Sequence, residues 1–298
     1  MKKLLLIVNN LTGKGQNGSS TFRLVRKFTE NGYMVTVCPI DAGLDTTPKT
    51  YIEASEYDMV VCQGGDGTLS HLINVLMDRE KNPPVGYIPA GTTNDFSRNI
   101  GIPKNIEKAS DIVLNGSPSP YHVGHFNDRY FCYVASFGAF ADSSYTTAQS
   151  IKNLLGHSAY ILNSVGSISK ALASRHRLKV ETESEVFEDE FIFGAIANSL
   201  SVAGFALPGM DKDDIFDEFY ELLLIKCPRT DRDYTRIITA LINGDFENDL
   251  MIFRKIRRAD ITALTETDWT LDGEYGGHPE KIRFDIRYDA VRIMTAGK

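Results

Sequence analysis

The stretch Gly64-Gly65-Asp66-Gly67-Thr68 constrains this chain more than any other. It follows an apolar run that ends at Cys62. It precedes a segment in which Leu69, Leu72, Ile73, Leu76 and Met77 recur at helical spacing. A buried strand must therefore end, turn and feed a helix within these few residues. Glycines let the backbone approach a ligand closely with its amides turned outward, and a helix N-terminus behind them favours an anion. Asp66 would repel a phosphate directly, so it must work through Mg²⁺ or orient a hydroxyl or water. The plainer reading is a tight strand-to-helix turn. No Gly-Lys-Ser/Thr follows, so this is not the Walker loop, and the spacing is not that of the dinucleotide fingerprint.

The surrounding pattern predicts an open α/β layer. Leu4 to Val8, Tyr33 to Cys38, Asp58 to Cys62 and Val85 to Ile88 read as strands, with helices over Ser20 to Glu30 and Ile106 to Leu114. Strand–helix alternation of this kind implies a parallel sheet. Asn115-Gly116-Ser117-Pro118-Ser119-Pro120 reads as a turn-rich break. Beyond it, Tyr130 to Val134, Leu178 to Val186, Phe191 to Ala197, Tyr220 to Ile225, Ile261 to Leu264 and Ile282 to Ile286 read as strands separated by turns. A helical insertion is expected over Thr147 to Ala173. The expectation is two domains. Residues 1–120 form an open parallel α/β domain, and residues 121–298 an antiparallel β-sandwich, whose last strand is a candidate to return to the first domain.

Other stretches carry the same chemical logic. Pro89-Ala90-Gly91-Thr92-Thr93-Asn94-Asp95-Phe96 also follows a strand and opens a short helix, and Asn9 to Lys14 follows strand one. In a parallel sheet all three open at the carboxyl edge, where ligands bind. Leu271-Asp272-Gly273-Glu274 sets two carboxylates around a glycine, which suits an acid aimed at a reacting hydroxyl, against a surface turn as the plainer reading. The acidic run Asp211 to Glu218 is rich in oxygen ligands but lacks the calcium-loop spacing. His122 and His125 are three apart on an expected strand and point to opposite faces, which excludes a zinc pair.

A formal net charge of -7 argues against a nucleic-acid partner. Cys38, Cys62, Cys132 and Cys227 have no metal-site spacing and read as buried thiols of a reducing compartment. No apolar run is long enough to span a bilayer, and the short run after Met1-Lys2-Lys3 reads as a first strand. The expected location is cytoplasmic.

Together these motifs resemble the diacylglycerol kinase catalytic domain family, in its bacterial lipid-kinase branch, related to sphingosine kinases and NAD kinases. The Gly-Gly-Asp-Gly-Thr stretch is shared across those relatives, whereas Gly91-Thr-Thr-Asn-Asp-Phe and Leu271-Asp-Gly-Glu belong to the lipid-kinase side. The resemblance implies ATP and Mg²⁺ as cofactors, with nucleotide bound between the domains. Asn9, Gly13, Gly64, Gly65, Asp66, Gly67, Thr68, Gly91, Thr92, Thr93, Asn94 and Asp95 would line the ATP site. Asp272 or Glu274 would be the base on a lipid hydroxyl, that of diacylglycerol first. It further implies a structural Mg²⁺ at Asp211, Asp214 and Phe216, where Met210 and Ile215 depart from the family pattern, and Asn10 departs in the first loop. The implied partner is a lipid at the inner membrane surface, reached peripherally, and the family allows a homodimer.

The helical insertion, with Leu154, Leu155, Ile161, Leu162 and Val165, is a candidate acyl groove or membrane-lying helix, or simply a helix packed on the sheet edge. Arg175-His-Arg177 and Arg254-Lys-Ile-Arg-Arg258 read singly as solvated faces. The rival functions are an NAD kinase, a sphingoid-base kinase and a catalytically silent nucleotide- or lipid-binding regulator.

Overall fold

The computed structural model describes residues 1–9, 17–40, 47–54, 56–77, 79, 82–138, 175–202, 205–246 and 248–297. They divide into two compact units, 1–123 with 287–298, and 124–286. Among the described residues no helix is long and apolar enough to cross a membrane.

The first unit is built on β1 (Lys2–Asn9), β2 (Tyr33–Ile40), β3 (Met59–Gly64) and β4 (Val85–Pro89). β1 pairs in parallel with β2 and β3, and β3 pairs in parallel with β4. The end of β17 (Lys281–Thr295) adds beside β4, with Ile293 opposite Val85. Leu4 to Val8 and Met59 to Gly64 are buried throughout, as continuous apolar strands covered on both faces should be. β2 lies at the edge of this group, where Tyr33 and Cys38 are buried and Met34 and Val37 exposed. Helix α1 (Asn17–Glu30) buries Leu24 and Phe28, one turn apart. α2 spans Thr47–Ala54. α3 (Asp66–Met77) buries Leu69, Leu72, Ile73 and Leu76 on the face that the sequence spacing marks. Two more helices complete the unit, α4 (Asp95–Asn99) and α5 (Ile106–Asn115). Asn105 caps α5 by accepting the amides of Glu107 and Lys108.

The second unit is mainly antiparallel. Its centre is β9 (Val186–Ala197), which pairs with β8 (His176–Thr182) along its first half and with β7 (Val134–Gly138) along its second. β10 (Ser201–Val202) pairs antiparallel with β11 (Phe205–Ala206), and β12 (Tyr220–Lys226) pairs with β9 and with β13 (Met251–Ile256). β14 (Arg258–Ala263) joins β8 to the first part of β17, and β15 (Trp269–Leu271) joins β7 to β16 (Glu274–Gly277). Alternation along β12 supplies two cores. Tyr220, Leu222 and Leu224 face a cluster with Phe131, Phe137, Trp269 and Phe284, while Leu223 and Ile225 face one with Phe193, Ile237, Leu241 and Met251.

Several boundaries differ from the sequence expectation. Ser117 to Pro120, read as a break, opens β5 (Ser117–Phe126). Pro118 and Pro120 are two apart, so both turn their missing N–H toward the same side, which a strand edge without a partner can absorb. Leu178 to Val186 is a hairpin rather than one strand, because the Thr182 hydroxyl accepts the Ser184 and Glu185 amides and folds the turn. Tyr130 to Val134 divides between β6 (Arg129–Phe131) and β7. The strands of this unit are not joined by turns alone, since α6 (Asp231–Asn243) intervenes before β13. His122 and His125 do lie on one strand and have separate partners: Nδ1 of His122 accepts the Asp289 amide, and Nδ1 of His125 lies 3.3 Å from the Asp285 carboxylate. The insertion expected over 147–173 lies outside the described residues.

Candidate functional site

In the first unit, the carboxyl ends of β1, β3 and β4 carry the three polar loops. The Asn9 side-chain amide donates to the Thr68 hydroxyl at 2.9 Å, which ties the end of β1 to the first turn of α3. The Ala90 amide donates to the Gly64 carbonyl, so the loops after β3 and β4 leave the sheet side by side. They are in backbone contact. A Cβ on Gly91 would stand 2.6 Å from the Gly65 Cα and 2.8 Å from the Asn94 Oδ1, and one on Gly65 would stand 3.3 Å from the Gly91 Cα. Only glycine pairs at such a distance. The result is a close approach of two glycine backbones at the sheet edge, the kind of loop surface that can receive phosphate oxygens.

Asp66 is the strut of this surface. Its buried carboxylate accepts the Asp95 amide at 2.9 Å and the Thr93 hydroxyl at 3.3 Å on Oδ2. On Oδ1 it accepts the Phe96 amide at 3.3 Å and the Tyr87 hydroxyl at 3.5 Å. Phe96 is fully buried and packs edge-on against Tyr87 and Tyr121. Asn94 adopts the left-handed region at φ 53° and clasps Gly91, accepting its amide and donating to its carbonyl. Asp66 therefore shapes the Gly91–Phe96 loop, a role that the sequence pattern does not show. Thr92 and Lys104 are linked by the lysine ammonium on the Thr92 carbonyl at 3.2 Å. Gly13 lies outside the described residues, as do Asn10 and Lys14.

In the second unit, Asp272 and Gly273 both have positive φ, 52° and 87°, and form the two-residue turn between β15 and β16. The Asp272 carboxylate is buried and accepts three successive backbone amides, Cys132 at 2.6 Å, Tyr133 at 2.9 Å and Val134 at 3.1 Å, while its own amide donates to the Val134 carbonyl. That carboxylate is spent on holding the turn. Glu274, one residue past the glycine, is exposed. The two acids of Leu-Asp-Gly-Glu thus separate into one that fixes the turn and one that faces solvent.

The acidic run 211–218 folds as a turn followed by a 3₁₀ segment, Asp214–Phe216. Asp211 caps it with its carboxylate on the Asp213 amide, and Lys255 from β13 reaches Asp214 and Asp217. Among the described residues, no cluster of three or more His, Cys, Asp and Glu side chains is arranged to hold a metal ion. The basic clusters are paired with acids: Arg175 with Glu190, Arg177 with Glu188, Arg254 with Glu185, and Arg257 with Glu218. Sequence reasoning missed two contributors, Tyr87 on Asp66 and Gln63. The Gln63 side chain accepts from Thr21 and donates to Ser20, binding β3 to α1. Both stand in apolar strand runs, where their polar atoms give no periodic signal.

Residues 3–126 match the family model of the diacylglycerol kinase catalytic domain. A diacylglycerol kinase of Bacillus subtilis (strain 168) is 29% identical over 280 residues, 93% of this chain and 91% of its own length. One from Staphylococcus epidermidis (strain ATCC 12228) is 30% identical over 224 residues, 75% of this chain and 70% of its own length. A crystal structure from Bacillus anthracis str. Sterne superposes with a TM-score of 0.77 at 22% identity, covering 99% of this chain and 97% of that one. A second, of a diacylglycerol kinase from the same organism, gives 0.73 at 19% over the same shares.

Proposed function

The chain belongs to the diacylglycerol kinase family, and from that premise we propose that it transfers the γ-phosphoryl group of ATP to the hydroxyl of diacylglycerol. The observation that carries the reading is the bare backbone contact of Gly65 with Gly91, braced by Asp66 at the carboxyl edge of a parallel sheet. The assignment of the acceptor rests on the names of the relatives. The loops 64–68 and 91–95, with Asn9 and Gly13, receive the triphosphate. Mg²⁺ bound with ATP would supply neutralisation of phosphate charge there. Asp66 supports the phosphate loop by holding the amides of residues 95 and 96, and it can reach an ion only through water while those four donors stay in place.

Glu274 is the proposed base. As the lipid oxygen bonds to the γ-phosphorus and the bond to the bridging oxygen of ADP breaks, the hydroxyl proton passes to this carboxylate. Asp272 is a positioning residue that sets where Glu274 stands. The lipid is met at a membrane surface.

The test is direct. Purified protein is given radiolabelled ATP and either diacylglycerol in mixed micelles, sphingosine in mixed micelles, or NAD in solution. Label in phosphatidic acid supports the proposal. Label in NADP or in a sphingoid phosphate replaces the acceptor, and nucleotide binding without transfer to any of the three returns the chain to a regulator.

A further inference from the structure

Both oxygens of Asp214, the side-chain ligand that the family resemblance implies for a structural Mg²⁺, are already engaged. Its Oδ2 accepts the Asp211 amide at 2.8 Å, and its Oδ1 accepts the Lys255 ammonium at 2.8 Å. Asp217 repeats the arrangement, with the Phe219 amide at 2.8 Å on Oδ1 and the same ammonium at 2.8 Å on Oδ2. A metal ion bridging these two carboxylates would need the volume that the ammonium fills, at oxygen distances of ~2.0–2.1 Å for Mg²⁺ or ~2.3–2.6 Å for Ca²⁺.

We propose that the Lys255 ammonium does the work of a divalent ion at this corner of the second unit, so that the acidic run 211–218 binds neither Mg²⁺ nor Ca²⁺. Three further observations fit. First, the position of Lys255 is set by the sheet: it lies opposite Glu221 in the β12–β13 register and beside the Phe219 ring, 6.0 Å from its centroid. The ammonium is thus delivered from a rigid strand. Second, Ile215 stands where the family pattern has glycine. Its side chain is fully buried, and its carbonyl is turned inward to accept the Asn198 side-chain amide at 3.1 Å, away from any solvent-facing ion. Third, Glu221 adds no third charge at neutral pH. It is 1% exposed, neither of its carboxyl oxygens has a hydrogen-bond partner, and burial reinforced by Asp217 pushes its pKa up to about 8. The shared ammonium cancels one of the two carboxylate charges and so weakens the pull of this corner on a dication. The pairing in turn holds Asp214 below the usual carboxylate range.

The test is thermal melting of the full chain without nucleotide, in EDTA, in Mg²⁺ chloride and in Ca²⁺ chloride, against NaCl of equal ionic strength. The readout is independent of kinase activity. The wild-type midpoint is expected to be the same in all four. Lys255→Met should melt lower by ~2–6 °C, and should regain part of that loss with saturable Mg²⁺ or Ca²⁺ dependence, a gain that Asp214→Asn added to it removes. A saturable metal-dependent rise in the wild type that Asp214→Asn abolishes overturns the proposal. So does a Lys255→Met chain that melts like the wild type. Should Lys255→Met fail to fold, the wild-type and Asp214→Asn arms still decide it.

Discussion

At the residue scale, the two acids of the Leu-Asp-Gly-Glu turn are expected to fail in different ways. Glu274→Gln should lower kcat by ~10²–10⁴, the usual worth of a positioned base, with the melting midpoint and the ATP Kd unchanged. Asp272→Ala should instead lose stability first, since it leaves three buried amides without their acceptor at a cost of ~1.5–3 kcal/mol for a charged hydrogen-bonding group. Steady-state kinetics paired with thermal melts of both variants check this. The reverse pattern would exchange the two roles. Glu221 gives a pH signature. Folded, it keeps its proton to about 8, while its ordinary value is 4.5. Between those values the unfolded chain binds fewer protons than the folded one, so this group makes stability fall as pH rises, by up to ~1.4 kcal/mol per pH unit. Urea unfolding from pH 5 to pH 8 should show a shallower fall in Glu221→Gln than in the wild type. Equal slopes would mean that the carboxyl ionises at its ordinary value.

At the scale of elements, the contact between the loops after β3 and β4 predicts a graded response. Gly91→Ala forces its Cβ against backbone at 2.6 Å, where something must move, whereas Gly65→Ala meets backbone at 3.3 Å and needs only a small shift. Calorimetric titration with ATP should therefore show a larger loss of affinity for Gly91→Ala than for Gly65→Ala, with both chains folded. Equal affinities would remove the phosphates from this surface. The elements also show what the sequence disclosed. β1, β3 and α3 were legible because burial on both faces, or on one helical stripe, writes itself as an apolar run or a period. Helix α6 is marked in the sequence as well. Thr230 and Asp233 form a reciprocal capping box, and Gly244 closes the helix at φ 68°. The start of β5 was not legible, since two prolines argue against a strand unless the open edge is known.

At the scale of the whole molecule, the four cysteines bear on its surroundings. Cys38, Cys62, Cys132 and Cys227 are all buried and none is in a disulfide, and burial pushes the Cys38 and Cys227 thiols up to about 11 and the Cys62 thiol further. A thiol reagent at pH 8 should label none of them rapidly in the native chain and all of them after denaturation. Rapid native labelling would show that these sites open. The C-terminal strand matters to the first unit, because residues 287–298 belong to it and Ile293 pairs with Val85. A chain ended after Ile286 should lose cooperative melting of that unit, measurable by proteolysis of residues 1–123.

The sequence by itself determined the strand–helix alternation of the first 120 residues, the glycine loops at strand ends and the identity of the acids worth testing. Each of these is a local fact, written in spacing and side-chain type. Only the tertiary structure decided which acid of a pair holds backbone amides and which faces solvent, because that depends on amides more than a hundred residues away, at 132–134 for Asp272. In the same way it decided that Asp66 braces a loop, and that Lys255 closes on Asp214 from another strand. Hydrogen-bonding partners far apart along the chain are fixed by folding in space, and residue order, which marks a local cap such as Thr230 with Asp233, does not mark them.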